Sequence, residues 1–344
     1  MKKLFMSMMS VVALVGLFAS CSDENLSSKE VEVSFTVSMD DIAGSRAYSD
    51  GTSAKQLVFA VFDHTIKNAD GTVAKYGEEL AGMRQTEIEF DENLKATVTT
   101  KLIKGKTYDF VFWAQPKNSE AFDITDMDNI KVNYNKTTLV NNNEALDAFF
   151  YAENNYRVTG AVKLDVTLKR PFAQINFATT EADWNDAMTA GLIREGEVAS
   201  TKITVTGGIY NTLNTREGTV AGEVESLAFQ LSAIPSGDNQ WLPRVDALKQ
   251  DATTGEMVPG QDGQYENYRW LGMTYVLVNE KQMASNVTMA ISSPTVANEV
   301  SVDNVPMQRN FRTNILGDLL TTGAIFNVTI DPVPVNDHNQ FYNK

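Results

Sequence analysis

From Val31 to Met39 the chain alternates: Val31, Val33, Phe35, Val37 and Met39 fall on one side, and Glu32, Ser34, Thr36 and Ser38 on the other. That is the period of a half-buried strand, because successive side chains of an extended backbone point to opposite faces. Further stretches repeat the alternation or replace it with a short apolar run of strand length, at 56–62, 86–90, 94–100, 107–114, 161–168 and 172–178. The second half adds 201–206, 226–234, 268–278, 287–292 and 325–330. Turn residues punctuate them at 68–71, 104–106, 207–208 and 235–239, and a polar stretch runs from 251 to 263. Helical spacing is confined to two short segments, 143–152 and 181–192. Many short strands with polar connectors predict a mainly all-β protein of two β-sandwich domains with a few short helices. An Asn-rich stretch precedes Tyr156, so the expected divide gives 47–158 to the first domain and 159–344 to the second.

The N-terminus has a different pattern. Lys2 and Lys3 precede an apolar run from Leu4 to Phe18, which is shorter than the roughly 20 residues a membrane span needs and reads as an export signal. Leu17, Phe18, Ala19 and Ser20 then lead to Cys21, the only cysteine. Small residues before a cysteine form a bacterial lipobox, in which the thiol takes a diacylglycerol before cleavage frees the new amino terminus. The expected organisation is therefore a lipoprotein signal peptide at 1–20 and a lipidated leader at 21–46. A single cysteine excludes a disulfide within one chain, so the fold depends on its core. Two acyl chains anchor stably where one does not.

The formal charge is −15, and loss of Lys2 and Lys3 with the signal takes it to −17. This argues against a nucleic-acid partner and against electrostatic binding to anionic lipid. His64 and His338 stand far apart without a cysteine or histidine neighbour, and no G-x-S-x-G or phosphate-cradling glycine loop occurs. Asp123, Asp126 and Asp128 read as a solvated acidic loop, because the glycine and distant glutamate of an EF-hand are missing. Trp113 and Trp270 sit in apolar strand patterns and belong to the core, whereas Trp241 is the best placed to be exposed. The expectation is a protein with no cofactor, no metal and no catalytic site.

Three stretches resemble the fimbrillin family of Bacteroidetes surface lipoproteins, the subunits of type V pili: "LKRPFAQINF" (168–177), "RWLGMTYVLV" (269–278) and, most specifically, "VPMQRNFRTNILGDLLT" (305–321). The resemblance implies two transthyretin-like sandwiches and delivery to the outer membrane on lipidated Cys21. It also implies a trypsin-like cut between Arg46 and Ala47, with Lys29 as a competing site. That cut would discard the strand carrying Val31, Val33, Phe35, Val37 and Met39, which acts as a placeholder. The resemblance further implies that the groove is refilled by a C-terminal strand of a neighbouring subunit. Here that donor is the stretch of about 331–344, with Val333, Val335, Phe341 and Tyr342. Pro332 and Pro334 are awkward inside a strand, so Phe326 to Ile330 fits better as the last strand of the subunit's own sandwich. Expected partners are other copies or related pilus subunits, the outer membrane before processing, and ligands on host or bacterial surfaces. The alternatives are a tip or anchor accessory protein of the pilus, and a surface glycan-binding lipoprotein that uses Trp241.

Overall fold

A computed structural model describes residues 29–39, 51–135, 139–194, 199–237, 240–242, 248–250, 257–259, 268–293, 297–321 and 325–332. In chain order the strands are β1 (Glu30–Met39), β2 (Gln56–Asp63), β3 (Ile66–Lys67), β4 (Val73–Lys75), β5 (Gln85–Glu89), β6 (Lys95–Ile103), β7 (Thr107–Gln115), β8 (Phe122–Asp123), β9 (Asn129–Val132), β10 (Phe149–Arg157) and β11 (Val162–Leu168). Then follow β12 (Phe172–Thr180), helix α1 (Glu181–Thr189), β13 (Ser200–Asn214), β14 (Val220–Ala228), β15 (Ser232–Ala233), β16 (Leu248–Gln250), β17 (Met257–Pro259), β18 (Tyr268–Leu277), β19 (Met283–Ser292), β20 (Ala297–Met307), β21 (Phe311–Asp318) and β22 (Ile325–Pro332). The all-β expectation holds, and most of the expected strands appear within a few residues of their sequence bounds.

The first sandwich stacks the sheet β11-β1-β6 on the sheet β10-β7-β2-β5. Its core gathers Val33, Phe35, Val37 and Met39 of β1 with Phe59 of β2, Phe110 and Phe112 of β7, and Val166 and Leu168 of β11. The second sandwich pairs the sheet β18-β12-β21-β22 with β20-β19-β13-β9-β8. Gly272 of β18 lies so close to Ile203 of β13 that an added Cβ would come within 3.1 Å of the Ile203 Cδ1. The sheet holding β2 and β7 is buried on both faces: Val58, Ala60, Val111 and Trp113 point away from the first core into the second. This is why β2 and β7 read as continuous apolar runs and β1 as an alternation.

The expected divide at 158/159 does not separate the cores. β11 lies after it yet pairs with β1, and β8 and β9 lie before it yet join the sheet of β13. Two other expectations also change. The segment 143–152, read as helical, leads instead into β10, because Phe149–Arg157 finds a partner in β7. Gly207 and Gly208, read as a turn, form a bulge inside β13 where the pairing with β14 shifts, and both have positive φ. The helix expected at 181–192 is α1, capped by Thr180, whose side chain accepts from the Asp183 N–H.

Candidate functional site

β1 is the centre strand of its sheet. It runs antiparallel to β6 from Glu30 opposite Ile103 to Ser38 opposite Lys95. It runs parallel to β11 from Val33 opposite Val162 to Met39 opposite Leu168. β6 and β11 are therefore held together through β1, and without it a groove with two unpaired backbone edges would lie between them. Of the five inward residues named from the sequence, Val33, Phe35, Val37 and Met39 are buried and Val31 is half-buried at the strand's open end.

The centre of the groove is aromatic. The Phe35 ring lies 5.5 Å from Phe59, 5.0 Å from Phe110 and 5.2 Å from Phe112, meeting the last two edge-on. Edge-to-face contact sets the positive ring edge against the negative face, and it adds to the burial of a large apolar surface. The flanking positions carry valines, which need less room. At the far end Gly51, at φ +75°, passes close to the Met39 side chain, and a Cβ there would meet the Met39 Sδ and the Phe149 ring at 3.3 Å. The backbone is tied at both ends, by the Lys104 N–H to the Lys29 carbonyl (3.1 Å) and the Met39 N–H to the Leu94 carbonyl (3.3 Å).

Two buried arginines, neither singled out from the sequence, hold the floor of the groove against the second sandwich. Arg216, in the turn between β13 and β14, donates to Asp109 of β7 (3.2 Å), to Asp128 (2.5 Å) and to the Gly77 carbonyl (2.9 Å). Its guanidinium stacks 4.4 Å from the centroid of Phe62 in β2. Burial pushes the Asp128 carboxyl upward, and the Arg216 hydrogen bond offsets only part of that. Arg170, just ahead of β12, makes a two-point contact with Asp147 at 2.5 and 3.1 Å and lies 4.4 Å from the Phe149 ring. Both arginines come from loops, and their partners Asp109 and Asp147 are 107 and 23 residues away, so only the fold brings them together.

The three stretches that carry the family resemblance meet in one sheet: β12 pairs with β18 on one side and β21 on the other. A buried amide ladder crosses it, Gln174 Nε2 to Asn176 Oδ1 at 3.0 Å and Asn176 Nδ2 to Asn314 Oδ1 at 2.8 Å. Asp183 of α1 then binds the end of the third stretch, accepting from the Leu320 N–H (2.8 Å) and the Thr321 N–H (3.0 Å), and also accepts from the Thr179 hydroxyl of β12 (2.5 Å).

Cys21, Arg46, Ala47, Val333, Val335, His338, Phe341 and Tyr342 lie outside the described residues. β22 runs to Pro332 as an edge strand beside β21, so Phe326 to Ile330 belongs to the chain's own sheet. Asp123 and Asp126 accept hydrogen bonds within their own loop, and Asp128 pairs with Arg216. Among the described residues no group of three or more His, Cys, Asp or Glu side chains is placed to hold a metal ion. Trp113 and Trp270 are buried. Trp241 is half-buried, with Arg269 lying between it and Trp184 at 5.1 and 4.3 Å from the two rings, so part of the expected open platform is already covered.

No curated protein matches the chain. Among solved structures it is similar to a fimbrial assembly protein from Parabacteroides distasonis at 15% identity and TM-score 0.39, covering 88% of this chain and 99% of that one. It is also similar to a C-terminally truncated tip fimbrial protein from Porphyromonas gingivalis, at 11% identity and TM-score 0.43, covering 88% of this chain and 100% of that one. Residues 24–343, which include β1, its groove and both cores, match the model of a family described as "Family of unknown function (DUF6562)", and the chain belongs to that family.

Proposed function

We propose that this chain is a structural subunit of a surface pilus. It is exported as a lipoprotein on Cys21 and held at the outer membrane. A trypsin-like cut after Arg46 releases it, and it polymerises when a strand of another subunit takes the place of β1. The observation that carries this reading is the position of β1: a strand at the N-terminal end of the fold fills the middle of a sheet. It is joined to the rest of the chain only through the segment 40–50, which contains Arg46.

The energetics fit an exchange. The four fully buried apolar side chains leaving the groove forgo about 1.5–3 kcal/mol each, so roughly 6–12 kcal/mol before half-buried Val31 or any hydrogen bonds are counted. A vacancy of that size does not persist, and an incoming strand with the same alternation recovers both the apolar contacts and the backbone pairing. The C-terminal segment from Val333 onward is the donor in this reading, since β22 already pairs with β21.

Limited trypsin digestion of the purified precursor tests the proposal. The expected result is one early cut after Arg46, followed by ladders on a denaturing gel run without heating. A chain that resists cleavage between Met39 and Gly51, or a cleaved product that stays monomeric, removes the basis for the reading.

A further inference from the structure

We infer that the groove is selective for its occupant, and that the selecting element is the aromatic pocket under Phe35. The ligand it takes is an extended strand with a large aromatic side chain at the central inward position, and the inward positions to either side set a weaker requirement. This rests on the strand-exchange reading and adds to it a specificity that the alternation alone does not contain.

The five inward positions of β1 are not equivalent. Val33 and Val37 are buried in the same core, and Phe35 is the residue whose ring packs among three others, Phe59, Phe110 and Phe112. Phe59 and Phe112 also meet each other in a tilted contact at 4.9 Å, and Phe110 and Phe112 are backed by Tyr156 and Tyr151 of β10 at 5.7 and 6.3 Å. A smaller side chain in the middle of the strand would leave a cavity, and the cost of a cavity depends on how far its walls can collapse.

Here the walls cannot collapse. The three rings stand on β2 and β7, and these strands are pinned from behind. Val58, Ala60, Val111 and Trp113 on their opposite face are packed into the second core. Asp109, next to Phe110, is held by Arg216, and Phe62 at the end of β2 is covered by the same guanidinium. A floor clamped from behind keeps the shape of the pocket whether or not it is filled. It therefore discriminates by size at the centre, while the flanking valine positions and the open Val31 end are more permissive.

Peptide exchange on the full chain tests this. A specific protease site is placed within residues 40–50, the folded chain is cut there, and fluorescent peptides of residues 29–40 compete for the groove. The expected order is an unmodified peptide that exchanges in, a Val37→Ala peptide about 10-fold weaker, and a Phe35→Ala peptide weaker by about 100-fold or more. A Phe35→Leu peptide falls between the unmodified and Phe35→Ala peptides. Because the changes are in the peptide, the pocket itself stays intact. If the unmodified peptide exchanges but Phe35→Ala is within about threefold of Val37→Ala, the selectivity is overturned and the exchange reading stands. If the unmodified peptide does not exchange, both are overturned.

Discussion

The two sandwiches hold their central strands by different physics. In the first, β1 is kept by an apolar strip: its inward neighbours on β6 are Ala96, Val98, Thr100 and Leu102, and those on β11 are Val162, Leu164, Val166 and Leu168. In the second, β12 is kept by groups that need particular partners, namely the Gln174–Asn176–Asn314 ladder, the Thr179–Asp183 contact and the Arg170–Asp147 pair at its entrance. Apolar burial is non-directional, which is what the proposed exchange of β1 for another strand with the same pattern requires. A buried polar network is worth its full energy only when every member is present, so no substitute strand satisfies it cheaply. The two sandwiches are thus distinguishable by where buried polar groups sit around their central strands.

The largest effect expected from this contrast is at Asp147. Arg170 and Asp147 are both almost fully buried, 1% and 0% exposed at the side chain, and the nearby carboxylate helps to hold the Arg170 guanidinium above its usual range despite burial. Asp147→Ala leaves a buried cation without its carboxylate and is expected to cost about 3–5 kcal/mol in chemical denaturation. Replacing the pair together, Asp147→Leu with Arg170→Met, is expected to recover most of that loss. If the single variant costs less than about 1 kcal/mol, the second sandwich is not locked by its polar groups and the contrast with the first disappears.

Asp183 sharpens the same contrast through pH. Burial pushes its carboxyl up, but hydrogen bonds from Thr179, Thr321 and the Leu320 and Thr321 N–H groups outweigh that and hold it below the ordinary value of 3.8. A carboxyl lowered in the folded state contributes stability that is present above the unfolded value and lost as pH falls through the folded one. Asp183→Asn is therefore expected to lose about 2 kcal/mol at pH 7, and the gap to the parent chain should narrow below about pH 4. A gap independent of pH across that window would mean that the hydrogen bonds do not depend on the charge.

What the sequence revealed follows from the same division. β1 and its five inward residues were legible because alternation over an apolar strip is a local signal, and so were β2, β6, β7, β11, β12 and β18. β21 was not among the expected strands. Arg312, Thr313 and Asn314 look like loop residues until β12 supplies their neighbours across more than a hundred positions. The divide at 158/159 failed for a related reason: the period of a strand says which face is buried but not which sheet it joins, and β11 joins β1. Arg216 and Arg170 carried no local mark of burial beyond a charge beside a turn or an apolar strand. The clamp behind the groove was therefore invisible to pattern.

The smallest effect concerns the outer face of β1. Glu32 is exposed and lies opposite Lys101 of β6, with Ser34 opposite Thr99 and their hydroxyls 3.4 Å apart. If apolar burial alone holds the strand, reversing the charge should barely register. Glu32→Lys sets like charges across the pair and is expected to cost about 0.5 kcal/mol at low salt. The difference should fade as salt approaches 1 M, where the screening length shrinks to about 3 Å. Such a result assigns the hold on β1 to its inward face. A loss several times larger, or one that salt does not reduce, would place part of the recognition on the outer face. An incoming strand would then need a carboxylate three residues ahead of its aromatic as well as the aromatic itself, and the two halves of the molecule would differ less than their cores suggest.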